Sequence, residues 1–114
     1  FLHGDCVPGN LLVTATGLMP IDWQCPAMGD PCQDIAFFLS PAMQLVYRGA
    51  PLAPAQIAAF WDAYPDPTVA PRYRQLAPWF HLRMAAYCMW KTEQGANVYR
   101  AAIQAELDQL SQRV

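Results

Sequence analysis

Three side chains carry the chemistry this sequence can do. Asp5 and Asn10 stand in the segment HGDCVPGN, residues 3 to 10, on either side of a Pro-Gly bend. Asp22 stands in the run PIDW. A loop carboxylate can accept a hydroxyl proton. A carboxamide oxygen and a second carboxylate are hard ligands suited to Mg2+, which is usually held by one or two protein oxygens together with substrate phosphates. The trio reads as one base and two metal ligands, if the chain between them brings them together. Taken singly, each has a plainer reading: Asp5 and Asn10 as turn residues, Asp22 as the cap of a strand end.

The intervening elements are suited to that task. Leu11-Leu12-Val13-Thr14 and Leu18-Met19-Pro20-Ile21 are two β-rich runs separated by Ala15-Thr16-Gly17. They predict a hairpin with a loop of about three to four residues. A hairpin returns on itself, so Asn10 at its entry and Asp22 at its exit can face one point. Pro20 cannot donate to a sheet ladder and favours an edge. Phe1-Leu2 reads as the tail of a strand, and residues 22–31 read as irregular.

Helices fill the rest. Asp30 as cap, Pro31 at the first helical position and Asp34 in the first turn open a helix whose face is Ile35, Phe38 and Leu39. Ala42 to Tyr47 follows, with Gly49 as its stop. Pro54 to Tyr64 carries Ile57, Phe60, Trp61 and Tyr64 at helical spacing. Pro71 to Glu93 is the longest segment, with Pro78 as an expected bend. Its apolar side reads as Leu76, Phe80, Met84 or Arg83, Tyr87 and Trp90. The last helix, Asn97 to Gln112, reads as a stripe of Ile103, Leu107 and Leu110, extended by Val114. The expected class is mainly α with a short β-hairpin.

Composition narrows the functions. Of 114 residues, 54% are hydrophobic and 14% charged, against a usual charged fraction of about 25%. Such a surface is expected to be covered by a further lobe or by another copy of the chain. The net charge is −2 and Lys91 is the only lysine, so no basic cluster is present to neutralise nucleic-acid phosphates. No run of about 18 apolar residues suggests a membrane span, and no signal peptide is apparent. The expectation is a cytoplasmic protein with reduced thiols. Cys25 and Cys32 have the wrong spacing for a zinc pair.

The order HGDCVPGN, PIDW, GDPCQDIA resembles the aminoglycoside phosphotransferase and choline kinase superfamily, small-molecule relatives of protein kinases. Members carry H-G-D-x-x-x-x-N, then a strand ending I-D-W or I-D-F, then G-D-P-x-x-D-hydrophobic-A. The resemblance is strong over residues 1–40 and loose over 41–114. It implies Asp5 as the catalytic aspartate, Asn10 and Asp22 as Mg2+ ligands, and His3 and Asp34 as supports of the catalytic loop. It implies transfer of the γ-phosphoryl group of ATP or GTP to a hydroxyl of a small molecule such as an amino alcohol, sugar or aminoglycoside. Gly4 stands where protein kinases have the arginine of H-R-D, and Trp23 where they have the phenylalanine of D-F-G, which separates the chain from those enzymes.

The fold implied is the C-terminal, helical lobe of a protein-kinase-like fold. Residues 1–22 would hold the catalytic loop and metal-binding hairpin, and 23–114 a helical substrate subdomain. The N-terminal nucleotide-binding lobe is expected to lie outside this sequence, leaving these residues inactive by themselves. Substrate contacts are not fixed by the motifs. Trp23, Trp61 and Trp90 are candidates, since aromatic faces can hold a cation such as choline or thiamine, although aromatic side chains usually fill cores. The late helices carry few acids, which disfavours a polycationic antibiotic. Two other functions remain open: an inactive kinase-like lobe serving interaction or oligomerisation, and a helical hydrolase or metal-binding domain.

Overall fold

A computed structural model describes residues 1–112. It is mainly helical with one two-stranded antiparallel hairpin. A 3-10 turn at Pro8–Asn10 leads into β1 (Leu11–Thr14), which pairs with β2 (Gly17–Pro20). Helices α1 (Cys32–Leu39), α2 (Pro41–Arg48), α3 (Pro54–Ala63), α4 (Val69–Glu93) and α5 (Val98–Ser111) follow. No helix among the described residues is long and apolar enough to cross a membrane.

The hairpin is tighter than its sequence suggests. Thr14 pairs directly with Gly17, so the connection is the two residues Ala15 and Thr16 rather than three or four. The Thr14 hydroxyl donates to Gly17 O at 2.7 Å and accepts from the Thr16 N–H at 3.3 Å. That side chain does the work of an extra loop residue. Below the strands, Ile21 N–H donates to Asn10 O at 2.8 Å and prolongs the pairing. Leu2 forms an isolated antiparallel bridge with Ala27, which ties the otherwise irregular segment after Asp22 to the start of the chain.

Helix boundaries follow local chemistry. Asp30 accepts the Cys32 N–H at 2.9 Å, but Pro31 is the cap residue and helix α1 begins one position later than its proline suggests. Ser40 caps α2 through the Met43 N–H, Pro41 occupies its first turn, and Gly49 ends it with a φ of 83°. Pro78 lies inside the continuous helix α4, where its missing N–H removes one intrahelical bond.

Two apolar clusters form the core. In one, Cys32, Ile35, Ala36 and Leu39 of α1 meet Val69, Tyr73 and Ala77 of α4, with Phe60, Trp61 and Tyr64 of the α3 region packed around them. In the other, Val7 of the first loop meets Ala42 and Met43 of α2, Met84 and Cys88 of α4, and Ala102 of α5. Full burial of a side chain such as Val7 contributes about 1.5–3 kcal/mol, so the loop between Asp5 and Asn10 is anchored from beneath.

The long helices bury only part of the face their large apolar residues suggest: Leu76, Phe80, Met84 and Ile103 do pack into the core. Helix α4 turns Tyr73, Ala77, His81, Met84, Ala85 and Cys88 inward, while Tyr87 and Trp90 are exposed. Helix α5 buries Ala102 and Glu106, and Leu107 faces solvent. Alanines at 77, 85 and 102 allow close helix approach, and a buried polar pair, His81 and Glu106, replaces part of the expected apolar stripe. Val114 lies outside the described residues.

Candidate active site

The first loop is built around one carboxylate. Asp34, in the first turn of α1, accepts the His3 N–H on one oxygen at 2.8 Å and the Gly4 N–H on the other at 2.9 Å. The helix thereby holds the backbone of the loop that carries Asp5. Gly4 is required here: its φ is 91°, and a Cβ at this position would lie 2.2 Å from the Cys25 carbonyl oxygen. No side chain fits against backbone at that distance, which explains why a residue such as arginine cannot occupy it.

His3 is buried and links the loop to the hairpin. Its Nε2 donates to Ile21 O at 2.7 Å, and its Nδ1 accepts the Asp5 N–H at 3.2 Å. These two bonds place the ring proton on Nε2. Trp23 packs on the imidazole with ring centroids 4.5 Å apart, and its indole N–H donates to Pro20 O at 3.2 Å. Half-exposed Trp23 therefore flanks the loop support.

Asp5 and Asn10 meet. The Asn10 side-chain amide donates to Asp5 O at 2.9 Å and to the Asp5 carboxylate at 3.2 Å. Its nitrogen is thus engaged, and its oxygen is the atom left to act as an acceptor. Asp22 follows Ile21, whose N–H is bonded to Asn10 O, so the second carboxylate is one residue from Asn10's paired partner. Asp22 has a φ of 63°, the one left-handed non-glycine residue among those described. Such a conformation costs about 1–2 kcal/mol for an L-residue and recurs where a side chain must be aimed. Asn10 and Asp22 offer only hard oxygen atoms, the donor set that fits Mg2+.

Beside Asp5 opens a pocket of about 260 Å3. Phe37 of α1 and Met43 and Tyr47 of α2 line one side; Arg83, Met84 and Tyr87 of α4 line the other. Burial is the main cause that pushes the Tyr87 phenol up to about 12, with Tyr99 adding to it, and burial also raises Tyr47. Both phenols stay protonated in the neutral range. Next to Asp5, burial first and then the charges of Asp34 and Asp5 push the Cys6 thiol up to about 11. None of Trp23, Trp61 and Trp90 lines this pocket. Trp61 packs with Phe60, Tyr64 and Tyr73 around the first core cluster, and exposed Trp90 carries the Lys91 ammonium over its face at 6.0 Å.

Tyr47, Arg83 and Tyr87 were not legible as pocket residues in the sequence, because no local pattern links α2 and α4 to the first loop. A second polar cluster was equally silent. Glu106, with no solvent exposure, accepts from the Ser40 hydroxyl, from the Ala42 N–H at 3.2 Å and from His81 Nδ1 at 2.6 Å. It holds α2, α4 and α5 together away from Asp5.

The family model described as "Phosphotransferase enzyme family" (APH) matches residues 1–79 of this chain. The match takes in the loop, the hairpin, α1 to α3 and the first part of α4. Searches of the curated proteins and of the solved structures returned no match.

Proposed function

The chain belongs to the phosphotransferase enzyme family, and from that premise we propose that it carries the catalytic part of a small-molecule kinase. The donor is ATP or GTP and the acceptor is a hydroxyl group of a small metabolite. One observation supports this reading most: the Asp5 carboxylate both receives the Asn10 amide and lines a pocket of small-molecule size.

In this reading the acceptor hydroxyl lies in the pocket with its oxygen facing Asp5. That oxygen bonds to the γ-phosphorus as the bond from phosphorus to the β,γ-bridging oxygen breaks. The nucleoside diphosphate leaves, and the hydroxyl proton passes to the Asp5 carboxylate. Asn10 Oδ1 and the Asp22 carboxylate would hold Mg2+, which when bound neutralises charge on the nucleotide phosphates. His3 and Asp34 are positioning residues: they fix the backbone on either side of Asp5. Most of the benefit comes from placement, as is general for phosphoryl transfer.

The helical body is read as the C-terminal lobe of a protein-kinase-like fold working in the cytoplasm. Phosphoryl transfer of this kind also needs a lysine-bearing lobe to position the triphosphate. Lys91, the one lysine here, lies over Trp90 and Tyr99. The 114 residues by themselves are therefore proposed to give no turnover.

The test uses the full-length gene product that contains these residues. Phosphorylation of hydroxylated amines, sugars and acids is followed by phosphorus NMR. Asp5→Asn is expected to lower the rate by about 10²–10⁴-fold, and Asp22→Asn to raise the Mg2+ needed for half-maximal rate. Unchanged kinetics in both variants would overturn the assignment. Sustained turnover by the 114-residue chain alone would overturn the inactivity of the isolated piece.

A further inference from the structure

We propose that the acceptor is a hydroxylated carboxylate, held by its anionic end on Arg83 while its hydroxyl faces Asp5. The inference rests on the phosphotransferase reading of Asp5 and names the substrate class of that same pocket. Its basis is the pocket's charge pattern. Asp5 and Arg83 are the two charged side chains that line it. If Asp5 takes the hydroxyl, Arg83 is the remaining group able to select a charge.

Arg83 is prepared for that role. Its guanidinium lies over the Phe37 ring at 5.5 Å and over the Phe80 ring at 5.2 Å, and Nη1 donates to Gln33 Oε1 at 3.0 Å. Two ring contacts and one neutral hydrogen bond hold the group beside the pocket. Among the described residues no carboxylate pairs with it. Arg72, by contrast, is committed to Asp30 through bonds of 2.9 and 3.0 Å. A guanidinium held in place without an acidic partner presents a planar fork that matches a carboxylate.

The same surroundings disfavour a cationic acceptor. Aromatic faces near the pocket already carry the chain's own cations: Arg83 over Phe37, and Lys91 over Tyr99 at 5.3 Å, with Tyr99 edge-on to Tyr87. The Tyr47 and Tyr87 phenols are neutral hydrogen-bonding groups and add no negative charge. An ammonium ligand would meet repulsion from Arg83, which already lies over the Phe37 face. Between the two charged ends, Met43, Met84 and the tyrosine rings offer an apolar wall for the body of a small acid.

Binding to the 114-residue chain, without nucleotide, tests the proposal with three probes of one shape: 4-(hydroxymethyl)benzoate, 4-(hydroxymethyl)benzylamine and 1,4-benzenedimethanol. Affinities are read by ligand-observed NMR. The carboxylate is expected to bind about tenfold more tightly than the amine, a difference on the scale of one charge-assisted contact. Arg83→Gln should abolish that preference, and Arg83→Lys should keep part of it. Thermal melts establish that the variants fold. If Arg83→Gln does not, the Arg83 Nε–H resonance of the unaltered chain must shift on titration with the benzoate. An amine that binds as well as the acid, a preference surviving Arg83→Gln, a silent Arg83 resonance, or no binding of any probe at millimolar concentration would each overturn the proposal. Because these readouts need no phosphoryl transfer, they separate its failure from that of the kinase reading, which is decided by Asp5→Asn in the turnover assay.

Discussion

One carboxylate, Asp34, receives two consecutive backbone N–H groups, His3 at 2.8 Å and Gly4 at 2.9 Å. The start of α1 therefore fixes the loop that presents Asp5. Asp34→Ala removes both acceptors. Leaving partly buried donors unsatisfied costs about 1–3 kcal/mol each. Urea denaturation should show a loss of about 2–6 kcal/mol, and the turnover of the full-length product should fall even where the variant remains folded. A variant as stable as the parent would show that the loop does not depend on this clamp.

Gly4 and Gly49 give a paired prediction. Both have positive φ, 91° and 83°, but only Gly4 has backbone where a Cβ would go; around Gly49 there is nothing within 4 Å. Gly49→Ala should cost about 1–2 kcal/mol, the left-handed penalty alone. Gly4→Ala must in addition push Cys25 away, so its loss of stability should be clearly the larger. Thermal melts of the two variants side by side decide the matter.

Glu106 of α5 is fully buried and serves three donors on two other elements, α2 with its cap and α4. Glu106→Ala leaves Ser40, the Ala42 N–H and His81 without their acceptor. Breaking one side of such a buried polar arrangement typically costs about 3–5 kcal/mol. Glu106→Gln keeps the shape and one carbonyl oxygen and should lose less. Chemical denaturation curves that place the two variants together would contradict the network.

The thiols supply a pH dependence. Burial is the largest cause that pushes both Cys6 and Cys88 from the ordinary 9.0 up to about 11; Asp34 and Asp5 add to it at Cys6, and Glu106 at Cys88. A folded-state pKa above the unfolded value means that the folded chain holds these protons more tightly. Their contribution to stability is complete below pH 9.0 and is lost as the pH rises toward 11. Melting temperature should fall across that window, less so in a Cys6→Ala, Cys88→Ala variant. At neutral pH, iodoacetamide should label exposed Cys25 well before either of them.

What could be read from the sequence was what is local. The Asp5–Asn10 loop and the hairpin are set within twenty or so residues by turn chemistry, and the three motifs name their family. Helices α2 and α3 announce themselves by Gly49 and Pro54. Faces of α4 and α5 were legible in part: Leu76, Phe80, Met84 and Ile103 do pack into the core, but large apolar residues were weighed above small ones. Trp90 and Leu107 are exposed, whereas Ala77, Ala85 and Ala102 sit at the contacts. The pocket residues Tyr47, Arg83 and Tyr87 could not be found this way, since only tertiary packing sets α2 and α4 beside Asp5.

The shared acceptor Glu106 has a kinetic consequence. Its bonds tie the cap and first turn of α2 and the middle of α4 to its own helix α5, so none of the three can swing out without stranding polar groups in the others. Opening should then occur as one cooperative unit. In native-state hydrogen exchange, slow amides of α2, α4 and α5 should share a single opening free energy. Amides of the hairpin, where every residue of β2 is exposed, should exchange earlier through local fraying. The part of the molecule that carries the metal-ligand candidates is in this sense the loosely held part, resting on a helical block that opens all at once.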